Sequence, residues 1–320
     1  MRVLVTGSAG FVGSFIVKHI LETTDWEVVG LERLSYSGSL DRLIKGSKRY
    51  KSVLHNLQSD VNDHVAKEIG YVDYIVHVAA NSHVDRSIEN PRQFVLDNVL
   101  GTCNILEFAR TLPNLVKFIY FSTDEVFGPA PNGVFYEEDA RYNSTNPYSA
   151  TKAGGEELAV AYRNTYKLPV IITHTMNVFG ETQHPEKFIP KCINKIQKGE
   201  TIEIHSDSTK TVAGSRFYIY AGDVAEAILF LLGPAGKLEK YNIVGKMEIN
   251  NFDLAKMIAE ILNKPLKCEF VDFHSSRPGH DLRYALSGKK MKDLGWEPKV
   301  ELKDRLTMMI NELATLCDFS

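Results

Sequence analysis

The stretch RVLVTGSAGFVG, residues 2 to 13, leaves the chain few folds to choose from. A short apolar run enters Gly7, Gly10 and Gly13 in GxxGxxG spacing, and an amphipathic stretch over 11 to 22 follows at once. Glycines allow a tight turn and let a backbone approach a pyrophosphate, while the helix N-terminus offers N–H groups to the anion. Phe11 and Val12 lie inside this turn and count with the glycines as cofactor-binding candidates. Tight turns favour glycine anyway, so the motif needs support. It comes from the second apolar run, WEVVGL, which ends in Glu32, 19 residues after Gly13. A carboxylate there accepts hydrogen bonds from ribose hydroxyls and repels a 2′-phosphate, favouring NAD over NADP. Arg33 beside it weakens that preference. Asp60, Val61 and the pair Ala79, Ala80 close the third and fourth strands, where a dinucleotide's adenine and ribose would pass.

Apolar runs and amphipathic stretches keep alternating: a run near 51 to 55, then 61 to 69; YIVHV, then 91 to 112; LVKFIYF, then 147 to 167; and PVIITHT. A helix is also expected over 39 to 46. This alternation predicts a Rossmann-type, doubly wound parallel α/β sheet in residues 1–175, joined by part of 215–232. Residues 176–320 read as a smaller mixed α/β lobe that binds substrate, with helices at 187 to 198, 251 to 262 and 301 to 315, and Asp223 as the N-cap of VAEAILFLL. The ligand site is expected between the lobes, at the strand ends.

A net charge of −3 without a basic stripe argues against nucleic acid as a partner. Cys103, Cys192, Cys268 and Cys317 have neither disulfide nor zinc spacing, so reduced thiols in cytoplasm are expected and no metal. With no uncharged apolar run near the roughly 18 to 20 residues of a membrane span, neither signal peptide nor anchor is expected.

The strand LVKFIYF runs into Ser122, Thr123, Asp124 and Glu125, two adjacent carboxylates at a strand end. Capping of the following turn would explain one of them. Their mutual repulsion also raises one pKa, so that one can serve as acid while the other is ionised. Further on, YSATK puts Tyr148 and Lys152 one helical turn apart. Chance supplies about one YxxxK in such a chain, so position is what counts: this pair opens a helix 25 residues after Thr123. A lysine ammonium and an oxidised nicotinamide together favour the phenolate of Tyr148, and Thr123 can hold the same substrate hydroxyl.

GSAGFVG, AANSHVDRSI, STDEVFG, YSATKAG, HPEKFIP and RPGHDLRYA together resemble the extended short-chain dehydrogenase/reductases, and within them the dTDP-glucose 4,6-dehydratases, over nearly the whole chain. The resemblance implies tightly held NAD, a nucleotide-diphosphate-sugar substrate, and a homodimer formed through the helices beginning near 91 and 147. Tyr148, with Thr123 and Lys152, would remove the hydroxyl proton as hydride leaves sugar carbon 4. Glu125 would take the carbon 5 proton, Asp124 would protonate the departing carbon 6 hydroxyl, and hydride return to carbon 6 would give a 4-keto-6-deoxy sugar. It further implies Asn98 at the cofactor and Ser82, His83, Asn177, Lys187, Phe188, Ile189, Arg216, Asn242, Arg277 and His280 at the substrate. A 4-epimerase needs no acid and base at 124 and 125, and a decarboxylase typically has Ser for the Asp.

Asn81 stands where the family pattern has Glu, Asp97 where Thr is usual, and Val178 where a second Asn is common. The segment SDSTKTVAGSRFY is longer than the family's usual turn, which leaves the base open. The first expectation is dehydration of dTDP- or UDP-glucose. UDP-N-acetylglucosamine, with or without inversion at carbon 5, is the alternative. A non-catalytic NAD-binding regulator is the alternative of another class, and it has no use for Thr123, Asp124, Glu125, Tyr148 and Lys152 together.

Overall fold

A computed structural model describes residues 1–34, 38–272 and 282–317. Its first half alternates strand and helix: β1 (Arg2–Thr6), α1 (Phe11–Thr23), β2 (Glu27–Glu32), β3 (Tyr50–Leu54), α2 (Asp63–Ile69), β4 (Tyr74–His77), α3 (Val84–Glu89), α4 (Pro91–Phe94), α5 (Gly101–Arg110), β5 (Lys117–Thr123), α6 (Pro147–Tyr166) and β6 (Val170–Thr175). In the second half come β7 (Asn177–Phe179), α7 (Phe188–Lys198), β8 (Ile202–Ser206), β9 (Ser215–Tyr220), α8 (Ala221–Leu232), β10 (Lys240–Ile243), β11 (Glu248–Asn250), α9 (Asn251–Ile261) and β12 (Cys268–Asp272), then helices Lys289–Asp293 and Leu302–Cys317.

Seven parallel strands form the main sheet among the described residues, in the order β10-β6-β5-β4-β1-β2-β3. The chain builds outward from β1 to β3, then returns to β4 on the other side of β1. That reversal opens a crevice beyond the carboxyl ends of β1 and β4. Strand pleating explains the two cores. In β1, Val3 and Val5 face α1 and α8, where Ile16, Ile20, Ile228 and Leu231 are buried; Leu4 faces the opposite layer with Ile75, Ile105, Leu106 and Phe118. Each such aliphatic side chain contributes about 2 kcal/mol when taken from water, so both faces of the sheet are firmly covered.

The expected α/β architecture is present, and the chain returns to the large sheet beyond residue 175. Helix α8 packs on α1, and β10 pairs with β6 at the sheet edge. The smaller body has a three-stranded sheet, β11-β9-β7, and the parallel pair β12-β8. Its own core joins Ile193 and Ile196 of α7, Ile202 and Ile204 of β8, Leu254 and Ile258 of α9, and Leu306 and Met309.

Three local expectations are corrected. Residues 39 to 46 form only a 3-10 turn, Leu40–Arg42, capped by Ser39; none of its residues is buried, so no apolar face holds a longer helix against the protein. The stretch 91 to 112 is interrupted by a π-helical turn at Val95–Leu100. Asp223 is not the N-cap of α8, because the helix already begins at Ala221; its carboxylate lies 3.6 Å from Arg305.

Candidate active site

The crevice holds a cleft of about 330 Å³ whose lining includes Gly7, Glu32, Asp124, Tyr148 and Lys187. Gly7 has φ +73°, and a Cβ there would stand 2.9 Å from the Ala79 Cα, so strand ends β1 and β4 approach as closely as they do only with glycine. Gly13 allows a second close approach: its Cβ would lie 2.0 Å from the Gly7 carbonyl oxygen. Helix α1 has neither a side-chain cap nor an acid in its first turn, and Gly10, Phe11 and Val12 at that end line the cleft. Its terminal N–H groups are left for an anion, and a dinucleotide pyrophosphate fits that chemistry. Glu32, buried at the end of β2, accepts from the Ala9 N–H. Burial raises its pKa, while bonds from Ala9 and Ser8 oppose the rise. Arg33, Ala79 and Ala80 line the same half.

Strand β5 ends in Thr123, and a 3-10 turn, Asp124–Phe127, follows directly. Thr123 Oγ1 donates to Asp124 Oδ1 at 2.9 Å and accepts from the Glu125 N–H at 3.4 Å. Asp124 is 4% exposed, and its Oδ2 has no hydrogen-bond partner among the described residues. Burial first, and Glu125 second, push its pKa up to about 7, against the pull of Thr123 and Arg216. Glu125 is less buried, and its Oε2 accepts from Asn146 Nδ2 at 3.1 Å.

Asn146 also starts α6. Its Oδ1 accepts from the Ser149 N–H at 2.8 Å in a capping box, with Pro147 at the first helical position. One side chain therefore fixes both the helix carrying Tyr148 and the carboxylate of Glu125. Tyr148 is nearly buried, its N–H bonded to Ser87 Oγ at 3.1 Å and its ring edge-on to Phe94. Lys152 is 3% exposed; its ammonium donates to the Phe121 carbonyl at 2.6 Å and lies 4.3 Å from the Tyr120 ring centroid. Burial lowers its pKa to about 7, and Glu156, one turn further along α6, counters that. His77, bonded to Thr6 and Thr102, has a pKa lowered to about 3, by burial first and Lys152 second, and is neutral.

Most residues expected in the site line this cleft: Thr123, Asp124, Glu125, Tyr148 and Lys152, the cofactor turn, and Ser82, His83, Asn177 and Lys187. Others do not. Asp60 is exposed and Asp60 and Val61 lie outside the cleft, because the chain leaves β3 through Asn56, Leu57 and Gln58, which line it instead. Asn98 lies behind the cleft wall, donating to the Asn81 carbonyl and Thr151. Asn242 is fully buried in β10, bonded to His174, Glu138, Tyr136 and Ser287. Phe188 and Ile189 pack into the core of the smaller body. Arg216 donates to the Ser215 and Leu282 carbonyls and reaches Asp124 through its charge. Arg277 and His280 lie outside the described residues.

Sequence reasoning missed Asn146, Ser87 and the position of Asp97. The Asn-Pro pair before YSATK was the available signal for the first. Asp97 touches Asn81, so two departures from the family pattern form one contact.

The cleft has room for a dinucleotide beside Tyr148, Thr123 and the carboxylates Asp124 and Glu125. The chain is 38% identical to the low-salt glycan biosynthesis protein Agl12 of Haloferax volcanii, over 97% of this chain and 98% of that one. It is 36% identical to a dTDP-glucose 4,6-dehydratase of Escherichia coli, over 97% and 93%. Its fold matches the crystal structure of DesIV, a dTDP-glucose 4,6-dehydratase from Streptomyces venezuelae with NAD and TYD bound, at a TM-score of 0.87 and 35% identity, over 97% of this chain and 96% of that chain. The family model described as GDP-mannose 4,6 dehydratase matches residues 4–309, and the chain belongs to that family of extended short-chain dehydrogenase/reductases.

Proposed function

We propose that this protein is an NAD-dependent 4,6-dehydratase of a nucleoside-diphosphate hexose, converting dTDP- or UDP-glucose to the 4-keto-6-deoxy sugar. The observation that carries the reading is Asp124: a buried carboxyl with a pKa near 7, in one turn with the more accessible Glu125 and in one cleft with Tyr148. An epimerase has no use for that pair.

Thr123 and Tyr148 hold the carbon 4 hydroxyl, and Tyr148 takes its proton. The Lys152 ammonium, anchored on the Phe121 carbonyl, favours the phenolate. NAD, when bound, would supply a hydride acceptor for carbon 4 and a hydride donor for carbon 6. The ketone at carbon 4 acidifies the neighbouring C–H, so Glu125, oriented by Asn146, removes the carbon 5 proton. Asp124 gives its proton to the departing carbon 6 hydroxyl, water is lost, and a proton returns to carbon 5. Gly10, Phe11, Val12 and Glu32 would hold the cofactor; Ser82, His83, Asn177 and Lys187 would meet the sugar nucleotide, and the Arg216 charge acts on Asp124.

The working unit is a homodimer. Ile88, Val95, Leu100 and Tyr166 expose apolar surface on the helices before and along α5 and α6, which supports pairing there. The free thiols Cys103, Cys192 and Cys268 suit a reducing cytoplasm. Among the described residues, no helix is long and apolar enough to cross a membrane, and no His, Cys, Asp and Glu group could hold a metal ion. The direct test is product NMR with dTDP-glucose, UDP-glucose, UDP-N-acetylglucosamine and GDP-mannose. A 4-keto-6-deoxy product from dTDP- or UDP-glucose is expected; dehydration of none of the four overturns the assignment.

A further inference from the structure

Four side chains donate to Asp97 on the cleft wall. Its Oδ1 accepts from Arg33 Nη1 at 2.5 Å and Gln58 Nε2 at 2.6 Å, and its Oδ2 from Asn81 and from Gln93 Nε2 at 3.1 Å. The donors come from the ends of β2, β3 and β4 and from α4, so one side chain ties together three strand-end loops and a helix. Its side chain is only 6% exposed. The π-helical turn Val95–Leu100 carries it, and such turns inserted in α-helices occur often at functional sites.

Arg33 directly follows Glu32, the carboxylate placed for the adenosine ribose. A free guanidinium there is the group that accommodates a 2′-phosphate and turns an NAD site towards NADP. Here Arg33 is held by Asp97, with Asn56 Oδ1 3.4 Å from the same nitrogen. Counting Glu32, Asp97 and Arg33, the corner carries a net formal charge of −1, against zero without Asp97.

We propose that Asp97 is a specificity-determining residue: by occupying Arg33 it keeps the site selective for NAD and against its 2′-phosphorylated analogue. The Asn81–Asp97 contact belongs to the same device. Asn81 donates to Asp97 Oδ2, which leaves Oδ1 to Arg33 and Gln58.

The proposal rests on the NAD assignment, and fragments of the cofactor test the two separately. Binding of 5′-AMP and of 2′,5′-ADP is measured by calorimetry on the full chain freed of carried nucleotide. Wild type should bind 5′-AMP at least about tenfold more tightly than 2′,5′-ADP. No binding of 5′-AMP would overturn the cofactor assignment and this proposal with it. Asp97→Asn and Asp97→Thr should tighten 2′,5′-ADP by about tenfold and change 5′-AMP by less than about threefold. Adding Arg33→Ala should abolish the gain. An unchanged ratio in folded Asp97 variants, or a gain that survives Arg33→Ala, overturns the proposal. Should both Asp97 variants fail to fold, Arg33→Ala alone still decides. An occupied arginine predicts no loss of 2′,5′-ADP binding beyond about threefold, and a tenfold loss contradicts the assignment.

Discussion

Asp124 has one carboxylate oxygen on Thr123 and the other without a partner among the described residues, so ionising it in place is costly and its proton is kept to about pH 7. In the unfolded chain the same carboxyl titrates near 3.8. Between these values the unfolded chain releases the proton and the folded one retains it, so this group's contribution to stability falls as pH rises and reaches its minimum above about 7. Asp124→Asn removes that dependence. Its stability relative to wild type should be about 1 to 3 kcal/mol more favourable at pH 8 than at pH 4, read by denaturant unfolding; equal differences at both pH values contradict the assigned proton. In catalysis the sign carries over: water elimination should weaken on the alkaline side of pH 7 as the acid is lost. Asp124→Asn and Glu125→Gln should leave carbon 4 oxidation measurable while stalling water loss, and full activity in both refutes their roles. The pair was legible as a carboxylate doublet at a strand end. Which member is buried was not, because that depends on the turn Asp124–Phe127, which turns Val126 and Phe127 into a cluster with Met176 and Leu286, residues far away in the chain.

At the scale of elements, long periodic segments were readable and short ones were not. The strands β1, β2, β4, β5 and β6 and the helices α1 and α6 carry enough apolar residues to declare their own period, and each stands where the alternation put it. By contrast β7 has three residues and β10 four, and they are strands because neighbours pair with them. The resemblance put Asn242 at the substrate, and nothing in KYNI announces that β10 is an edge strand with every residue but the first buried. The start of α6 is the element that most directly couples fold to chemistry, since Asn146 caps it and holds Glu125. Asn146→Ala should cost about 1 kcal/mol of stability, measured by chemical unfolding, through the lost cap. It should also slow carbon 5 proton exchange in the product, because Glu125 loses its Asn146 contact. Asn146→Asp keeps the cap acceptor but not the donor to Glu125, so it should restore stability without restoring exchange. Equal recovery of both would show that the residue acts only as a cap.

In the whole molecule, the large sheet provides the carboxyl-end crevice, and Asn177 of β7 and Lys187 at the start of α7 add to the lining of the cleft. The pattern loosens after Thr175, but the return of α8 and β10 to the large sheet was only partly legible. A sequence window cannot see that Ile228 and Leu231 pack on the helix that carries Ile16 and Ile20. Assembly belongs to this scale too. Val95→Asp with Leu100→Asp should turn the proposed dimer into monomers in sedimentation equilibrium, since a charge buried in an apolar interface costs several kcal/mol. An unchanged mass would place the interface elsewhere. In the proposed reaction, oxidation, dehydration and reduction occur on one sugar within this cleft, with no net change in redox state. With glucose deuterated at carbon 4, as its dTDP or UDP derivative, NMR of the product should find the deuterium at carbon 6 of the 4-keto-6-deoxy sugar; label lost to solvent or retained at carbon 4 rules out internal hydride return.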